Sequence, residues 1–181
     1  MNIEETALPG VLLITAKVYH DDRGAFFESF NLRRIIEAGL PANWAQDNFS
    51  QSRKNVLRGL HYQTIQPQGK LVSVAYGAVL DVAVDLRKSS PSFGKHVAVE
   101  LSGGSGKMLW IPEGFGHAFL VLSESAGFAY KVTDYYSSAG ERTIAWNDPD
   151  LAIPWPVKAE DVIVSAKDAA GPFLRDAEVF P

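Results

Sequence analysis

Through the middle of the chain, apolar and polar residues alternate in short bursts. Ala78 to Leu86 (AVLDVAVDL) puts Leu80, Val82, Val84 and Leu86 on one side of an extended strand. Asp81, Ala83 and Asp85 fall on the other side, because side chains two apart share a face. Leu71 to Tyr76, Lys95 to Leu101, Lys107 to Ile111, His117 to Leu122 and Phe128 to Tyr136 read as further strands. The links between them are turns: Gly77, Arg87 to Gly94 (RKSSPSFG), Ser102 to Gly106 (SGGSG) and Pro112-Glu113-Gly114. One segment breaks the rhythm. Leu32, Ile35 and Ile36 recur at helical spacing, Asn31 is placed to cap them, and Gly39 and Pro41 end a helix over Leu32 to Gly39.

Short strands spaced by about ten residues, with glycine-rich turns between them, predict an all-β sandwich or barrel. A parallel α/β fold needs crossovers longer than these links. The expected architecture is all-β: a jelly-roll, cupin-like β-barrel with short helices, formed by one domain over residues 1–181. Its mouth offers space for one small ligand. From Asn147 the alternation stops. Asp148-Pro149, Ile153-Pro154-Trp155-Pro156 and Pro181 predict an extended C-terminal tail packed on the barrel, with Ser165 to Asp168 its last ordered piece.

Composition narrows the class of function. Of 181 residues, 46% are hydrophobic and 21% charged, which are globular proportions. Lys and Arg number 17 against 21 Asp and Glu, a net charge of −4, so no basic surface argues for nucleic acid. A few local arginines still suffice for an anionic ligand. The absence of cysteine excludes thiolate nucleophiles, thiolate metal sites and disulfides. The start, Met-Asn-Ile-Glu-Glu-Thr, is acidic and unlike a signal peptide, so a soluble cytoplasmic protein is expected.

Several polar residues stand close enough in sequence to suggest chemistry. Arg58, His61 and Lys70 fall within thirteen positions in a chain of only four histidines. Strict alternation puts Arg58 and His61 on opposite faces, so a shared site requires Gly59 or a bulge to shift the register. Metal-binding barrels of this type present two histidines separated by one residue, but here the second position is Gln63. His20, His96 and His117 stand alone, so no metal is assigned. Tyr130 is a candidate proton donor, since a phenol is protonated at neutral pH, and Tyr136 a stacking platform. Arg23, Phe26 and Glu28 form a second polar–aromatic group. Gln46, Asp47 and Asn48 supply amide and carboxylate contacts, and Asp168 is a carboxylate able to orient a histidine.

Taken together these segments resemble the dTDP-4-dehydrorhamnose 3,5-epimerase family. The resemblance rests on Asp21-Asp22-Arg23-Gly24, Gln46-Asp47-Asn48-Phe49-Ser50 and Arg58-Gly59-Leu60-His61-Tyr62-Gln63. It continues through Gln68-Gly69-Lys70, Ile111-Pro112-Glu113-Gly114, Tyr130-Lys131-Val132-Thr133-Asp134 and Ser165-Ala166-Lys167-Asp168, in order along nearly the whole chain. It implies a homodimeric enzyme, working without metal or redox cofactor, that inverts the two carbons flanking a C4 ketone. It further implies His61 as base oriented by Asp168, Lys70 beside the C4 oxygen, and Tyr130 as the acid on the opposite face. Arg23 and Arg58 would hold the diphosphate, and Phe26 and Tyr136 the thymine. Glu28, Gln46, Asp47, Asn48, Glu141 and Lys167 would address nucleotide or sugar, and His117 the pyranose. Arg23, Phe26 and Glu28 are the set expected from a partner subunit. The alternatives are a C3-only or C5-only epimerase of the same sugar nucleotide, or a non-catalytic sugar-nucleotide-binding cupin. No glycine-rich dinucleotide motif follows a strand, in keeping with a reaction that moves no hydride.

Overall fold

The computed structural model describes residues 1–181. In chain order the strands are β1 (Asn2–Glu5), β2 (Leu12–Thr15), β3 (Tyr19–Asp21), β4 (Gly24–Phe26), β5 (Gln46–Arg53), β6 (Leu57–Gln63) and β7 (Lys70–Tyr76). They continue as β8 (Ala78–Asp85), β9 (His96–Ser102), β10 (Lys107–Ile111), β11 (Phe115–Val121), β12 (Ser125–Val132) and β13 (Glu141–Thr143). One sheet has the order β1-β2-β10-β7-β12-β5 and the other β13-β6-β11-β8-β9, while β3 and β4 form a separate hairpin. From β5 onward the chain changes sheet at nearly every link, and all pairings within the sheets are antiparallel. This is the expected all-β jelly roll. No helix is long and apolar enough to cross a membrane.

The main core lies between the sheets. Val72, Val74, Leu109 and Phe128 meet Val79, Ala83, Phe119 and Val121, all nearly or fully buried. Both sheets are also covered on their outer faces. On the five-stranded sheet Leu60, Tyr62, Val82, Val84 and Leu86 carry Leu151, Ile153, Trp155 and Phe180 of the C-terminal tail. On the six-stranded sheet Ile14, Leu71, Met108 and Trp110 carry Ile35, Leu40, Phe30 and Trp44. Trp44 meets Phe30 and Trp110 edge-on, each at 5.8 Å between ring centres. Such edge-to-face contacts add to area burial in fixing a segment's orientation.

Helix α1 (Leu32–Glu37) forms where the spacing predicts, with the Asn31 side chain accepting from the Arg34 N–H. It is shorter than predicted by two residues, because Gly39 has already turned to a positive φ of 77°. β12 also differs. It starts at Ser125 and ends at Val132, so Tyr135 and Tyr136 leave the strand that Phe128 to Tyr136 had suggested. Strand pairing explains the end point: Val132 sits opposite Gln46, the first residue of β5, and opposite Lys70, the first residue of β7. The tail stays ordered beyond Asp168. The Phe180 N–H donates to the Leu86 carbonyl, and the Tyr62 hydroxyl donates to the Glu178 carbonyl at 2.6 Å. It also contains a short helix, α2 (Ala166–Ala169), which holds a site residue.

Candidate active site

A cavity of about 440 Å³ opens between the two sheets, within the usual range for a small-molecule site. Tyr130, Lys70, Gln46, Asn48 and Ser50 reach it from the six-stranded sheet. Arg58, His61, Gln63, His117 and Glu141 reach it from the five-stranded sheet. Phe119 and Phe128 form an apolar wall, stacked at 4.1 Å between ring centres.

Arg58 and His61 share this cavity because β6 is bulged. His117 on β11 pairs with His61, but Phe119, two residues on, pairs with Arg58, three residues back. The extra residue shifts the register and turns both side chains inward, as the sequence required. Gly59 makes this possible. Its φ is +113°, and a Cβ there would lie 2.4 Å from the His117 carbonyl oxygen and 2.7 Å from Ala118. No side chain fits that approach.

The His61 Nε2 lies 2.6 Å from Asp168 Oδ1. Asp168 is buried at the start of α2, where the Ser165 hydroxyl accepts its N–H at 3.0 Å. Burial alone would raise the carboxyl's pKa. The hydrogen bond and charge of His61, the Gly59 N–H and the Ser165 hydroxyl outweigh it and hold the group below its ordinary value. An ionised Asp168 fixes the tautomer with the proton on Nε2, leaving Nδ1 as the basic nitrogen.

Lys70 begins β7 and is buried, its Nζ donating to the His61 carbonyl at 3.3 Å. Burial pushes its pKa down to about 8, against the opposing pull of Asp81 and Glu141. Asp81 is fully buried on β8, and His117 Nε2 lies 2.9 Å from its Oδ2. Burial, with Lys70 and His61 nearby, also drives the His117 pKa below its usual value despite that carboxylate. A second imidazole–carboxylate pair therefore backs the ammonium. No three of the carboxylates and histidines are grouped to hold a metal ion.

Tyr130 faces the five-stranded sheet from β12, and burial raises its pKa, so its hydroxyl stays protonated at neutral pH. At the rim the Tyr136 hydroxyl donates to Glu141 at 2.7 Å, and Lys167 pairs with the same carboxylate. Burial works against ionisation of Glu141, but these two partners and His61 keep its pKa low. The Gln46 amide donates to Asn48 at 2.6 Å, and Arg58 donates to the Ser52 hydroxyl at 3.0 Å.

Not every candidate meets the cavity in one chain. Arg23 and Phe26 sit on the β3–β4 hairpin, where Arg23 pairs with Asp21 and Phe26 is 71% exposed. Glu28 accepts from Asn31 and pairs with Arg34. Asp47 alternates away from Gln46 and Asn48 and pairs with Lys131 at 2.8 Å. Conversely, Gln63, Gln68, Ser50, Phe119 and Phe128 line the cavity, although the sequence assigns none of them a role at the site. Gln63 had a signal, since it lies two residues after His61 on the same strand. Asp81 also had one, as a polar residue on the strand face opposite the Val82–Val84 stripe.

An imidazole held by a carboxylate, facing a phenol with a buried ammonium alongside, is equipped to take a carbon-bound proton and return one. Fold and site thus define an acid–base enzyme on a jelly-roll barrel. The sequence profile of dTDP-4-dehydrorhamnose 3,5-epimerase matches residues 5–176, and the chain belongs to that family. It is 50% identical over 182 residues to the dTDP-4-dehydrorhamnose 3,5-epimerase of Pseudomonas aeruginosa, covering all of both chains. The Salmonella typhimurium enzyme of the same name is 51% identical, with 98% of this chain and 97% of that one covered. Among solved structures, the dTDP-6-deoxy-D-glucose-3,5-epimerase of Legionella pneumophila, in complex with dTDP-4-keto-L-rhamnose, superposes with a TM-score of 0.94. It is 52% identical, over 98% of this chain and 94% of that one.

Proposed function

We propose that this chain is a dTDP-4-dehydrorhamnose 3,5-epimerase. It converts dTDP-4-dehydro-6-deoxy-D-glucose to dTDP-4-dehydro-L-rhamnose by inverting C3 and C5. The observation that carries the reading is the placement of His61 and Tyr130 on opposite sheets of one cavity, with the Lys70 ammonium bonded to the His61 carbonyl.

In this reading His61 Nδ1 takes the proton from a carbon next to the C4 ketone, and the bonding pair moves onto the C4 oxygen as an enolate. The imidazolium is stabilised by Asp168, and Lys70 balances the charge on oxygen. Tyr130 then gives its proton to the same carbon from the other side, and the ketone re-forms with that centre inverted. The base has gained a proton and the phenol has lost one, so both must reset through solvent before the second carbon reacts. No electrons leave the substrate.

Arg58 suits the diphosphate, since guanidinium binds phosphate oxygens in a fork. Gln46, Asn48, Glu141 and Lys167 serve the nucleotide and sugar hydroxyls, His117 the pyranose, and Tyr136 the thymine face. Arg23, Phe26 and Glu28 reach the site of a second copy in a homodimer, which accounts for the exposed Phe26 ring on a hairpin paired to neither sheet. The enzyme works in the cytoplasm. Incubation of the purified protein with the 4-keto sugar nucleotide, followed by proton NMR, tests the reading. Appearance of the L-rhamno-configured ketone supports it, and an unchanged substrate spectrum rejects it.

A further inference from the structure

Gln63 makes contacts that catalysis does not require. It lies two residues after His61 on β6 and is 6% exposed. Its Nε2 donates to the Gln66 carbonyl at 2.7 Å and to the Tyr135 carbonyl at 3.2 Å, and its Oε1 accepts from the Ser137 N–H at 2.9 Å. Both amide protons and an oxygen lone pair are therefore committed to backbone. Two of the three partners are the residues immediately before and after Tyr136. The side-chain amide thus pairs with the chain on both sides of one residue, much as a neighbouring strand would.

The loop needs such a partner, because β12 ends at Val132 and, after a last backbone bond from the Thr133 N–H to the Gly69 carbonyl, leaves residues 134 to 137 without strand pairing. Gln68 donates to the Asp134 carbonyl and Gln66 to the Asp134 carboxylate, so the β6–β7 turn is stitched to the same loop. Tyr136 itself is 55% exposed, held by its N–H to Gln46 and its hydroxyl to Glu141. A ring this open keeps one orientation only if its backbone is fixed, and pre-ordering it lowers the entropy lost when a ligand stacks on it.

We propose that Gln63 is a positioning residue, bracketing Tyr136 so that its ring stands ready at the cavity mouth for the base of the nucleotide. The proposal rests on the sugar-nucleotide reading given above. It assigns Gln63 to ligand affinity and not to proton transfer, although both Gln63 and His61 project from β6 into one cavity.

A double-mutant cycle read by calorimetric titration with dTDP tests it. Gln63→Glu keeps the size and the acceptor for Ser137 but replaces both donors with oxygen. It is expected to weaken dTDP binding about tenfold, the scale of losing one or two ordering hydrogen bonds. KM for the sugar nucleotide rises in step, with a much smaller effect on kcat. In a Tyr136→Ala background the same substitution costs less than about twofold, since coupled residues are not additive. Gln63→Met, which deletes all three bonds, follows the same pattern. An undiminished dTDP affinity in Gln63→Glu, or a full tenfold loss persisting without Tyr136, overturns the proposal. So does failure of both Gln63 variants to fold, which would make the residue a support of the barrel. A parent protein that binds no dTDP would sink the functional reading itself, whereas binding without coupling sinks only the bracket.

Discussion

Replacing Lys70 should separate activity from stability. In the proposed mechanism its ammonium balances the enolate oxygen, and removal of a comparable preorganised donor costs about 100- to 1,000-fold in kcat. Lys70→Met should lose activity on that scale. Burial has lowered the folded pKa from 10.5 to about 8. At neutral pH, below both values, folding therefore carries the full cost of burying the cation, roughly 3 kcal/mol at about 1.36 per unit. Methionine removes that cost, and the lost bond to the His61 carbonyl returns about 1 kcal/mol. The variant should be more stable by roughly 2 kcal/mol in urea unfolding at pH 7. The same pKa shapes the rate. The cation is lost as pH rises through about 8, so kcat/KM, which reports the free enzyme, should fall on an alkaline limb centred there. Tyr130, whose pKa is raised, does not interfere in that range. Asp81→Asn removes a charge that favours the ammonium and should move the limb to lower pH. A kcat/KM profile flat to about pH 9.5, or a Lys70→Met variant that keeps most of its activity, refutes this reasoning.

Three further outcomes follow from the geometry. His61→Ala should abolish turnover while dTDP still binds, and substantial residual turnover counts against His61 as the base. Tyr130→Phe should suppress inversion more than initial proton removal, measured as solvent deuterium exchange; equal loss of both steps argues against its role as acid. Gly59→Ala should destabilise the fold by several kcal/mol in chemical denaturation, since a Cβ would meet the His117 carbonyl at 2.4 Å, and a wild-type midpoint would show that the bulge tolerates a side chain.

The sequence exposed those parts of the molecule whose neighbours are local. Helix α1 declared itself through Leu32, Ile35 and Ile36 and its Asn31 cap. The alternation of β8 was visible, but its meaning was not. Val82 and Val84 face the C-terminal tail, while Asp81 lies inside beside His117. A sheet covered on both faces does not announce which stripe is the interior. The need for a bulge at Gly59 could be argued from alternation alone. The partner of His61 could not, since Asp168 lies 107 positions away and only the resemblance joined the two. The end of β12 is not legible in the sequence, because aromatic residues continue past Val132, and what stops the strand is the length of its partners β5 and β7. The contacts of Gln63 are equally hidden, because they are made to a loop 72 to 74 residues further on.

Turnover in deuterated water addresses the central claim most directly. If one imidazole and one phenol on opposing sheets invert both neighbours of the ketone, product formed from dTDP-4-dehydro-6-deoxy-D-glucose carries deuterium at C3 and at C5. Label confined to one carbon, or product formed without solvent label, contradicts the account.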